Sequence, residues 1–512
     1  MEKILEDTES ICPKCFKEGR IHKIKAHIVE EDNKIWLKKK CIEHGDFKSI
    51  VFSDAKLYYK WMKYKVIGKG PTYKSIKNET KGVDSTPYSK EKLYPEHCSQ
   101  SVLTNLLVTN RCNLRCPYCF MNAGAAGYVY EPSLDDIRKI LRQARDEKPV
   151  PSKAIQITGG EPTIRDDLVD IIKISKELGF THIQLNTNSI KMSESLEYCK
   201  KIIGAGVNTV YMSFDGVSED TNPWINENKK AIDNLRKIGF SSVVLVPVVM
   251  KRNLHEMPEI IKYAVENIDV VRGVNFQPVS FCGRLQNITE EIIEKEGVDY
   301  AELFGVLEDG LDGQIKKDDF YPVPFVYPIS KLAEVLKGKE QVEFTANPMC
   351  GAATYVFISD SKIIPITRFV DVEGLMTFIK EQSKTRGLLT KPRIALSFIR
   401  NIDKFIDKEK SPIDLKKILI KAIIGGTYNE LRQFHYKSLY IGSMWFQDPW
   451  NINIERLKMC VIHYATFEGI VPFCAYNGLG VGEEIRRRHS IPISEWEKRE
   501  GKRIEDDLWK RV

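Results

Sequence analysis

Three cysteines in one short segment constrain this chain more than any other feature. Cys112, Cys116 and Cys119 have the spacing CxxxCxxC and follow an apolar run, residues 102–109, with the composition of a buried strand. Thiolates at this spacing wrap one corner of a cubane and ligate three of its four irons. We therefore predict a [4Fe–4S] cluster whose fourth iron is open to a cofactor. A zinc knuckle or three incidental thiols are the alternatives.

A glycine-rich segment adds context to the cysteines. Gly159, Gly160, Glu161 and Pro162 follow the next apolar run, residues 154–158. Glycines at a strand end allow close approach of a ligand, and exposed amides there bind carboxylates. Together the two motifs resemble the radical S-adenosylmethionine (SAM) superfamily. The resemblance implies SAM bound at the open iron and cleaved to a 5′-deoxyadenosyl radical, with the glycine-rich segment near the SAM amino group.

Further candidate SAM contacts lie at later predicted strand ends, where related enzymes bind the SAM ribose and carboxylate. They are Asn186, Asn188, Ser213 and Asp215, with Tyr118 as an aromatic residue beside adenine. Ordinary strand-end turns, and packing in the case of Tyr118, are the alternatives.

Strand and helix patterns alternate between residues 100 and 285. Six strands are predicted, at 102–109, 154–158, 182–186, 209–214, 242–249 and 273–278. Between the first two, Ile137, Ile140 and Leu141 share one helical face, and Ser133 is placed to cap that helix. This alternation predicts an α/β fold, a partial (β/α)6 barrel with its site in the loops at the strand carboxyl ends.

The chain divides into three predicted regions. Residues 1–90 are expected to form a small metal-binding ribbon domain that ends in a polar linker at 77–89. Residues 91–285 form the barrel. Residues 286–512 lose the strand–helix alternation and are expected to form an irregular, mostly helical region for an auxiliary cluster and substrate binding.

The first region has ligands for a mononuclear metal. Cys12 and Cys15 form a CxxC pair, Cys41 is the third ligand, and either Cys98 or His44 is the fourth. Four thiolates would suit a rubredoxin-like iron, whereas a Cys/His set favours zinc. The metal would be structural or would transfer electrons.

Four cysteines beyond the barrel core are candidate ligands of one or more auxiliary [4Fe–4S] clusters. They are Cys282, Cys350, Cys460 and Cys474. The alternative is buried free thiols, which behave as small hydrophobic groups. Cys199 lies on an apolar helix face and is expected to be core.

Composition narrows the function classes. The 512-residue chain has a net charge of +7 and no segment typical of RNA-binding modules, so we expect no nucleic-acid partner. It has no signal-peptide pattern and no run of about 20 apolar residues. We expect a cytoplasmic protein whose membrane contact is at most peripheral, at the inner face. Disulfides are rare there, so twelve cysteines point to metal.

A wider resemblance runs over most of the chain. The segments are CPKC with CIEHG, PEHCSQSVLTNLLVTNRCNLRCPYCF, FQPVSFCGR, PITRFVDVEGL and DPWNINIERLKMCVIHYATFEGIVPFCAYN. They resemble the archaeal tetraether lipid synthase family. The resemblance implies C–C bond formation between terminal sp3 carbons of isoprenoid tails, turning archaeol-type phospholipids into macrocyclic archaeol or tetraether lipids. It also implies several Fe–S clusters and a rubredoxin-like iron. Family members are expected to carry extra cysteines where this chain has residues 90–94.

A lipid substrate would need an apolar channel, for which the third region offers candidates that would otherwise be core. They are Ile418, Leu419, Ile423, Ile424, Phe434, Leu439, Ile441, Trp445 and Phe446. The basic run 486–489 would meet anionic headgroups or form a solvated helix face. A ferredoxin or flavodoxin is the expected electron donor.

Two other radical SAM reactions are alternatives. One is methyl transfer to 7,8-dihydro-6-hydroxymethylpterin in methanopterin biosynthesis, which would need a compact polar pocket. The other is peptide modification, for which residues 1–60 are a poor recognition domain because their cysteines suggest a metal ribbon.

Overall fold

The N-terminal region is a four-stranded antiparallel ribbon. A computed structural model describes residues 2–74, 79–81, 97–124, 126–285, 287–359, 362–425, 434 and 437–510. The ribbon strands pair in sequence order: β1 (Lys3–Ile11), β2 (Lys23–Glu31), β3 (Lys34–Cys41) and β4 (Gly45–Phe52). Asp32 and Asn33 join β2 to β3 with positive φ angles of 53° and 58°, as a two-residue hairpin requires. The helix Pro13–Lys17 lies between β1 and β2 and carries Cys15.

A short helix, Ala55–Met62, packs the ribbon against the rest of the protein. Asp54 caps it by accepting a hydrogen bond from the Leu57 N–H at 3.1 Å. Trp61 is completely buried, and its indole N–H donates to the carbonyl of Phe320 at 3.2 Å. Its ring lies 5.4 Å from that of Tyr300, so one side chain joins the ribbon to the C-terminal region.

Replacing Trp61 with Ala should lower the free energy of unfolding by about 3–5 kcal/mol, since it leaves a cavity and an unpaired carbonyl. Lys56→Ala, on the exposed side of the same helix, should change it by less than about 0.5 kcal/mol. Chemical denaturation of both variants measures the difference, and equal stabilities would contradict this account of the contact.

The predicted partial barrel is confirmed as a curled half-barrel of parallel strands. A small hairpin of β5 (Thr72–Lys74) and β6 (Glu79–Lys81) precedes it, and most of the predicted linker 77–89 lies outside the described residues. The strands that follow are β7 (Leu103–Leu107), β8 (Tyr128–Val129), β9 (Ala154–Thr158), β10 (His182–Thr187), β11 (Thr209–Ser213), β12 (Val243–Val246), β13 (Val248–Val249) and β14 (Val271–Pro278). Strands β7, β9, β10, β11, β12 and β14 lie side by side, all parallel. Pro247 separates β12 from β13, whereas the sequence analysis predicted a single strand at 242–249.

Helices connect the barrel strands and bury their apolar faces against the sheet. They are Leu134–Arg145, Leu168–Glu177, Ile190–Glu194, Leu196–Ala205, Ile225–Lys237 and Met257–Glu266. Ile137, Ile140 and Leu141 are buried as their spacing predicts. Ser133 accepts a hydrogen bond from the Asp136 N–H at 3.2 Å, which confirms it as the cap.

The C-terminal region is mostly helical, as predicted, but it also completes the sheet. Its helices are Glu290–Glu296, Tyr300–Gly310, Tyr327–Lys337, Val372–Gln382, Thr390–Asn401, Leu415–Gly425, Ile454–Lys458, Phe473–Gly478, Val481–Arg488 and Ile493–Glu500. Its strands are β15 (Tyr321–Pro322), β16 (Gly351–Ser359), β17 (Lys362–Pro365), β18 (Ser438–Met444), β19 (Ile462–Thr466), β20 (Gly469–Pro472) and β21 (Ile491–Pro492). Strand β18 pairs in parallel with β14, and β19 pairs in parallel with β7. Both edges of the half-barrel are therefore covered by strands that come late in the sequence.

Within the residues that the structure describes, no helix is both long enough and apolar enough to cross a membrane.

Candidate active site

The three predicted cluster ligands lie in the loop after β7. Cys112, Cys116 and Cys119 line a cleft that encloses about 800 Å³, including its open mouth. Its other walls come from the carboxyl ends of β9, β10 and β11, where sites of such barrels lie. The lining includes these candidate SAM contacts: Tyr118, Gly159, Gly160, Glu161, Asn186, Asn188, Ser213 and Asp215. We call this cavity the SAM cleft.

Gly159 and Gly160 are required because the cysteine loop passes directly against them. A Cβ on Gly159 would lie 2.6 Å from the carbonyl oxygen of Thr109, and one on Gly160 would overlap the carbonyl of Arg111. The Gly160 N–H donates to Thr109 O at 2.7 Å, and the Glu161 N–H donates to Arg111 O at 2.9 Å. The glycines thus fix the cysteine loop onto the end of β9, a reason that the motif alone did not reveal.

Glu161 is buried and holds two strand ends together. Its Oε1 accepts hydrogen bonds from the N–H and hydroxyl of Thr163 at 3.0 and 2.6 Å, and from the Thr187 hydroxyl at 2.7 Å. Its Oε2 accepts one from the Asn188 N–H at 2.8 Å. Burial raises the pKa of Glu161, although these hydrogen bonds favour the ionised form. Pro162, which the cleft lining does not include, starts the short turn that carries Thr163.

Two asparagines at the end of β10 link this strand to the cysteine loop and to β9. The Asn188 side chain donates to Asn113 Oδ1 at 2.7 Å, within the cysteine loop. The Asn186 side chain donates to the Thr158 hydroxyl at 3.2 Å, across from β10 to β9. Ser213 lines the cleft as the last residue of β11.

Asp215 and Tyr118 form a buried pair on the cleft wall. The Tyr118 hydroxyl donates to Asp215 Oδ2 at 2.6 Å, and the Val248 N–H donates to Oδ1 at 2.8 Å. Burial raises the pKa of Asp215 to about 6. The guanidinium of Arg252 lies 5.3 Å from the centre of the Tyr118 ring. Tyr118 is therefore held at both its hydroxyl and its ring.

The thiols of the cysteine loop fit a bound iron–sulfur cluster. Burial raises the pKa of Cys112 to about 12 and that of Cys116 well above its ordinary value. The nearby carboxylates of Glu161 and Asp215 act in the same direction. Thiolates here therefore need positive charge beside them, which iron supplies.

Arg284 is a functional residue that sequence analysis missed. Its guanidinium donates to the carbonyls of Cys116 and Ala123, the latter at 2.7 Å, and to Asn122 Oδ1 at 3.2 Å. Its positive charge also partly offsets the effect of burial, which raises the pKa of Cys116. A single arginine after Cys282 and a glycine gives no such signal, because its partners are distant in sequence.

The ribbon brings together a second set of metal ligands. The Nδ1 of His44 lies 3.5, 3.4 and 3.7 Å from the sulfurs of Cys12, Cys15 and Cys41, and the last two sulfurs are 3.8 Å apart. Tetrahedral zinc with bonds of about 2.3 Å to sulfur and about 2.05 Å to nitrogen requires edges of roughly 3.8 and 3.5 Å. The four side chains fit one zinc ion.

The remaining contacts of the ribbon site agree with His44 as the fourth ligand. Its Nε2 lies 3.2 Å from Glu18 Oε1, the carboxylate partner that orients many metal-binding histidines. Cys98, the other candidate, is not in this group, and its N–H donates to the carbonyl of Lys458 instead. The position of Cys98 in the chain explains the difference, since it lies in the irregular segment before β7 and not in the ribbon.

His44→Ala should remove the ribbon metal, because three thiolates alone leave one corner of the tetrahedron open. The cluster on Cys112, Cys116 and Cys119 should be retained, since the two sites share no ligand. Elemental analysis with visible absorption measures both. Cys98→Ser is the matched control, and loss of metal in that variant would contradict the assignment.

Two of the four candidate ligands of an auxiliary cluster line a second cavity. Cys282 and Cys474 line a cavity of about 400 Å³, including its opening, which shares Tyr118, Phe120 and Val248 with the SAM cleft. We call it the inner chamber.

The other two candidate ligands, Cys350 and Cys460, lie near Cys474. The charges of Cys474 and Cys350 add to burial in raising the pKa of Cys460. Burial raises the pKa of Cys474 to about 11. Arg456, which is buried, donates from Nε to the Cys350 sulfur at 3.5 Å. Cys199 packs in the barrel core, as expected.

Two family models match the chain. That of the radical SAM superfamily matches residues 106–264, which contain the cysteine loop and most of the half-barrel. That of the HMPTM N-terminal zinc ribbon domain matches residues 4–53.

Similar proteins cover the chain to different extents. A 7,8-dihydro-6-hydroxymethylpterin dimethyltransferase of Methanocaldococcus jannaschii is 43% identical over 519 residues, covering 98% of both chains. A GTP 3′,8-cyclase of Clostridium perfringens is 28% identical over 204 residues, 37% of this chain and 61% of the cyclase. The solved FeFe-hydrogenase maturase HydG of Carboxydothermus hydrogenoformans is 13% identical, over 42% of this chain and 52% of its own, with a TM-score of 0.32. That score is too low to carry an argument.

The half-barrel, the cysteine loop and the superfamily match define a radical SAM enzyme, a class whose cofactors are SAM and a [4Fe–4S] cluster. Because the Methanocaldococcus relative is 43% identical over nearly the whole chain, this protein belongs to the same family as that dimethyltransferase. The predicted superfamily, cofactors and fold are thereby confirmed.

The predicted membership of the tetraether lipid synthase family, with coupling of archaeol tails, is wrong, since the whole-chain relative is a pterin dimethyltransferase. The residues expected to line a lipid channel are mostly packed elsewhere. Ile418, Leu419, Ile423 and Phe434 belong to a separate helical core. The side chain of Ile424 lies outside the described residues. Among the other candidates, Phe446 is the one that lines the inner chamber. Apolar composition in the third region reflected core packing.

Proposed function

We propose that this protein is a radical SAM methyltransferase that acts on 7,8-dihydro-6-hydroxymethylpterin. Sequence analysis offers this reaction as an alternative to lipid coupling. The relative that is 43% identical supports it, since that protein is a dimethyltransferase of the same pterin. The inner chamber supplies the structural support.

The lining of the inner chamber combines aromatic faces with amide groups, the side chains that bind flat heteroaromatic rings. Phe446 and Phe473 stack with ring centres 3.9 Å apart and form much of its apolar wall. Gln277, Gln447 and Asn477 place amide groups around that wall, and the Asn477 carbonyl oxygen has no hydrogen-bond partner in the described structure. Aromatic faces with a few placed polar groups are typical of sites for small ring systems. This juxtaposition, directly beside the SAM cleft, carries the proposal.

The residues of the chain hold the two cavities in register. When bound, the cluster and SAM supply a 5′-deoxyadenosyl radical, which abstracts hydrogen from C–H bonds that acids and bases cannot break. Arg284 and Gly160 fix the loop that would hold the cluster. Tyr118 lines both cavities, and its hydrogen bond to Asp215 fixes the position of its ring between them. The expected ferredoxin or flavodoxin donor stays a prediction.

Anaerobically reconstituted protein, given SAM, a one-electron reductant, 7,8-dihydro-6-hydroxymethylpterin and a separate one-carbon donor, should form 5′-deoxyadenosine and a methylated pterin, both measured by mass spectrometry. Cys116→Ala should abolish both products, because two thiolates cannot retain the cluster. Cys199→Ala is the matched control, since that thiol lies in the barrel core.

The two products separate the class from the substrate. Formation of 5′-deoxyadenosine without methylated pterin would overturn the pterin assignment and leave the radical SAM class intact. Absence of 5′-deoxyadenosine in the reconstituted wild type would contradict the cluster assignment itself.

We also propose that Cys350, Cys460 and Cys474, with Cys282 as the fourth candidate, hold an auxiliary iron–sulfur cluster beside the inner chamber. The electrostatic effects of Cys474 and Cys350 on Cys460, and of Cys350 on Cys474, support it, since the ligands of one cluster must lie close together. The buried guanidinium of Arg456, within 3.5 Å of the Cys350 sulfur, would offset the negative charge of such a cluster.

Cys460→Ala should therefore lower iron and sulfide by about one cluster, about four irons per chain, without loss of the SAM cluster. Iron and sulfide analysis measures the loss, and 5′-deoxyadenosine formation without substrate reports the SAM cluster. Cys199→Ala again serves as the control. An unchanged iron content in Cys460→Ala would contradict the proposal.

A further inference from the structure

A third cavity lies next to the inner chamber and differs from it in character. It encloses about 780 Å³, including its opening, and shares Phe120, Cys282 and Asn477 with the inner chamber. Its remaining lining is mostly polar and includes Tyr128, Tyr476, Glu483, Arg486 and Arg487. We call it the polar chamber. The polar chamber also shares Phe120 and Met121 with the SAM cleft, so each of the three cavities adjoins the other two.

Arg486 is the unusual residue of the polar chamber. It belongs to the basic run 486–489, yet it is only 6% exposed, so the expected solvated face does not include it. No carboxylate of the described residues forms an ion pair with it, and its Nη1 is buried without a hydrogen-bond partner. A buried, unpaired guanidinium is costly unless something else supplies the negative charge.

The groups around Arg486 do not neutralise it. The phenols of Tyr476 and Tyr128 lie close enough to favour its charged form by hydrogen bonding, but neither phenol is an anion. The Tyr128 hydroxyl makes no hydrogen bond of good geometry with any described residue. Glu483 is the acidic residue of the lining, and its Oε1 already accepts two hydrogen bonds from Arg487, at 3.0 and 2.6 Å. The chamber therefore keeps the charge of one cation.

The open hydrogen-bonding groups of the chamber suit an oxyanion. Two potential donors, Arg486 Nη1 and the Tyr128 hydroxyl, have no acceptor in good hydrogen-bond geometry among the described residues. A planar guanidinium is the side chain best matched to phosphate or carboxylate, and its charge-assisted bonds are stronger than those to neutral acceptors.

We propose that the polar chamber is an oxyanion site, which binds a phosphate or carboxylate group of a molecule that lies beside the inner chamber. 7,8-Dihydro-6-hydroxymethylpterin has neither group, so the oxyanion belongs to a second molecule. That placement rests on the proposed function, whereas oxyanion binding by Arg486 does not.

Inorganic phosphate tests the site directly. Full-length reconstituted protein should bind phosphate saturably, at about one per chain, in equilibrium dialysis with radiolabelled phosphate. Arg486→Gln should weaken this binding about tenfold or more, since it removes the charge-assisted bonds. Arg488→Gln is the matched control, because Arg488 pairs with Glu468 at 2.7 Å and Glu484 at 3.3 Å on the surface, and it should bind as the wild type does. A parallel series with acetate distinguishes a phosphate site from a carboxylate site.

Further arms keep the test decisive. If Arg486→Gln does not fold, Asn477→Asp places a negative charge at the chamber wall with almost no change in shape, and should likewise abolish phosphate binding. Cleavage of SAM without substrate should continue in Arg486→Gln, which separates loss of the oxyanion site from loss of the radical chemistry. No saturable binding of either anion, or equal affinity in Arg486→Gln and wild type, would overturn the site.

Discussion

The site depends on backbone contact between the cysteine loop and the glycine-rich segment. Gly160 and Glu161 donate to the carbonyls of Thr109 and Arg111, so the loop that carries three thiols rests on the end of a neighbouring strand. A side chain at Gly160 would overlap the Arg111 carbonyl and push the loop away. The Glu161 carboxylate then extends this contact to β10. A cofactor site built on loops can be rigid when the loops share hydrogen bonds in this way.

The sequence predicted what local spacing determines. The cysteine triad, the first helix cap at Ser133 and the six barrel strands depend on residues close to one another in the chain. Whether His44 or Cys98 completed the ribbon site depended instead on where residue 98 lies in three dimensions. The same holds for Arg284, whose three partners lie far from it in sequence. Strands β18 and β19 were missed because their pairing with β14 and β7 depends on the edges that the barrel leaves open.

The wrong family prediction has a related cause. The quoted segments extend across the chain, as does the 43% identity to the pterin dimethyltransferase, so they identify a family without identifying its substrate. Apolar residues between 418 and 441 matched the needs of a lipid channel, yet Ile418 and Phe434 pack in a core of their own. Composition alone does not separate a channel wall from a protein interior. The arrangement of Phe446, Phe473 and Asn477 around a small chamber does make that distinction.

The position of β19 also affects how the chain is made. Residues 462–466 form this strand, and its parallel partner β7 is near residue 105. During synthesis the barrel strands leave the ribosome long before the strand that covers their edge. Until then the outer edge of β7 exposes unpaired backbone groups, the kind of edge to which other extended chains can add. Parallel pairing over such a separation is slow because a large loop must close first. A nascent chain of this protein is therefore expected to depend on chaperones until β19 has been translated and can pair with β7.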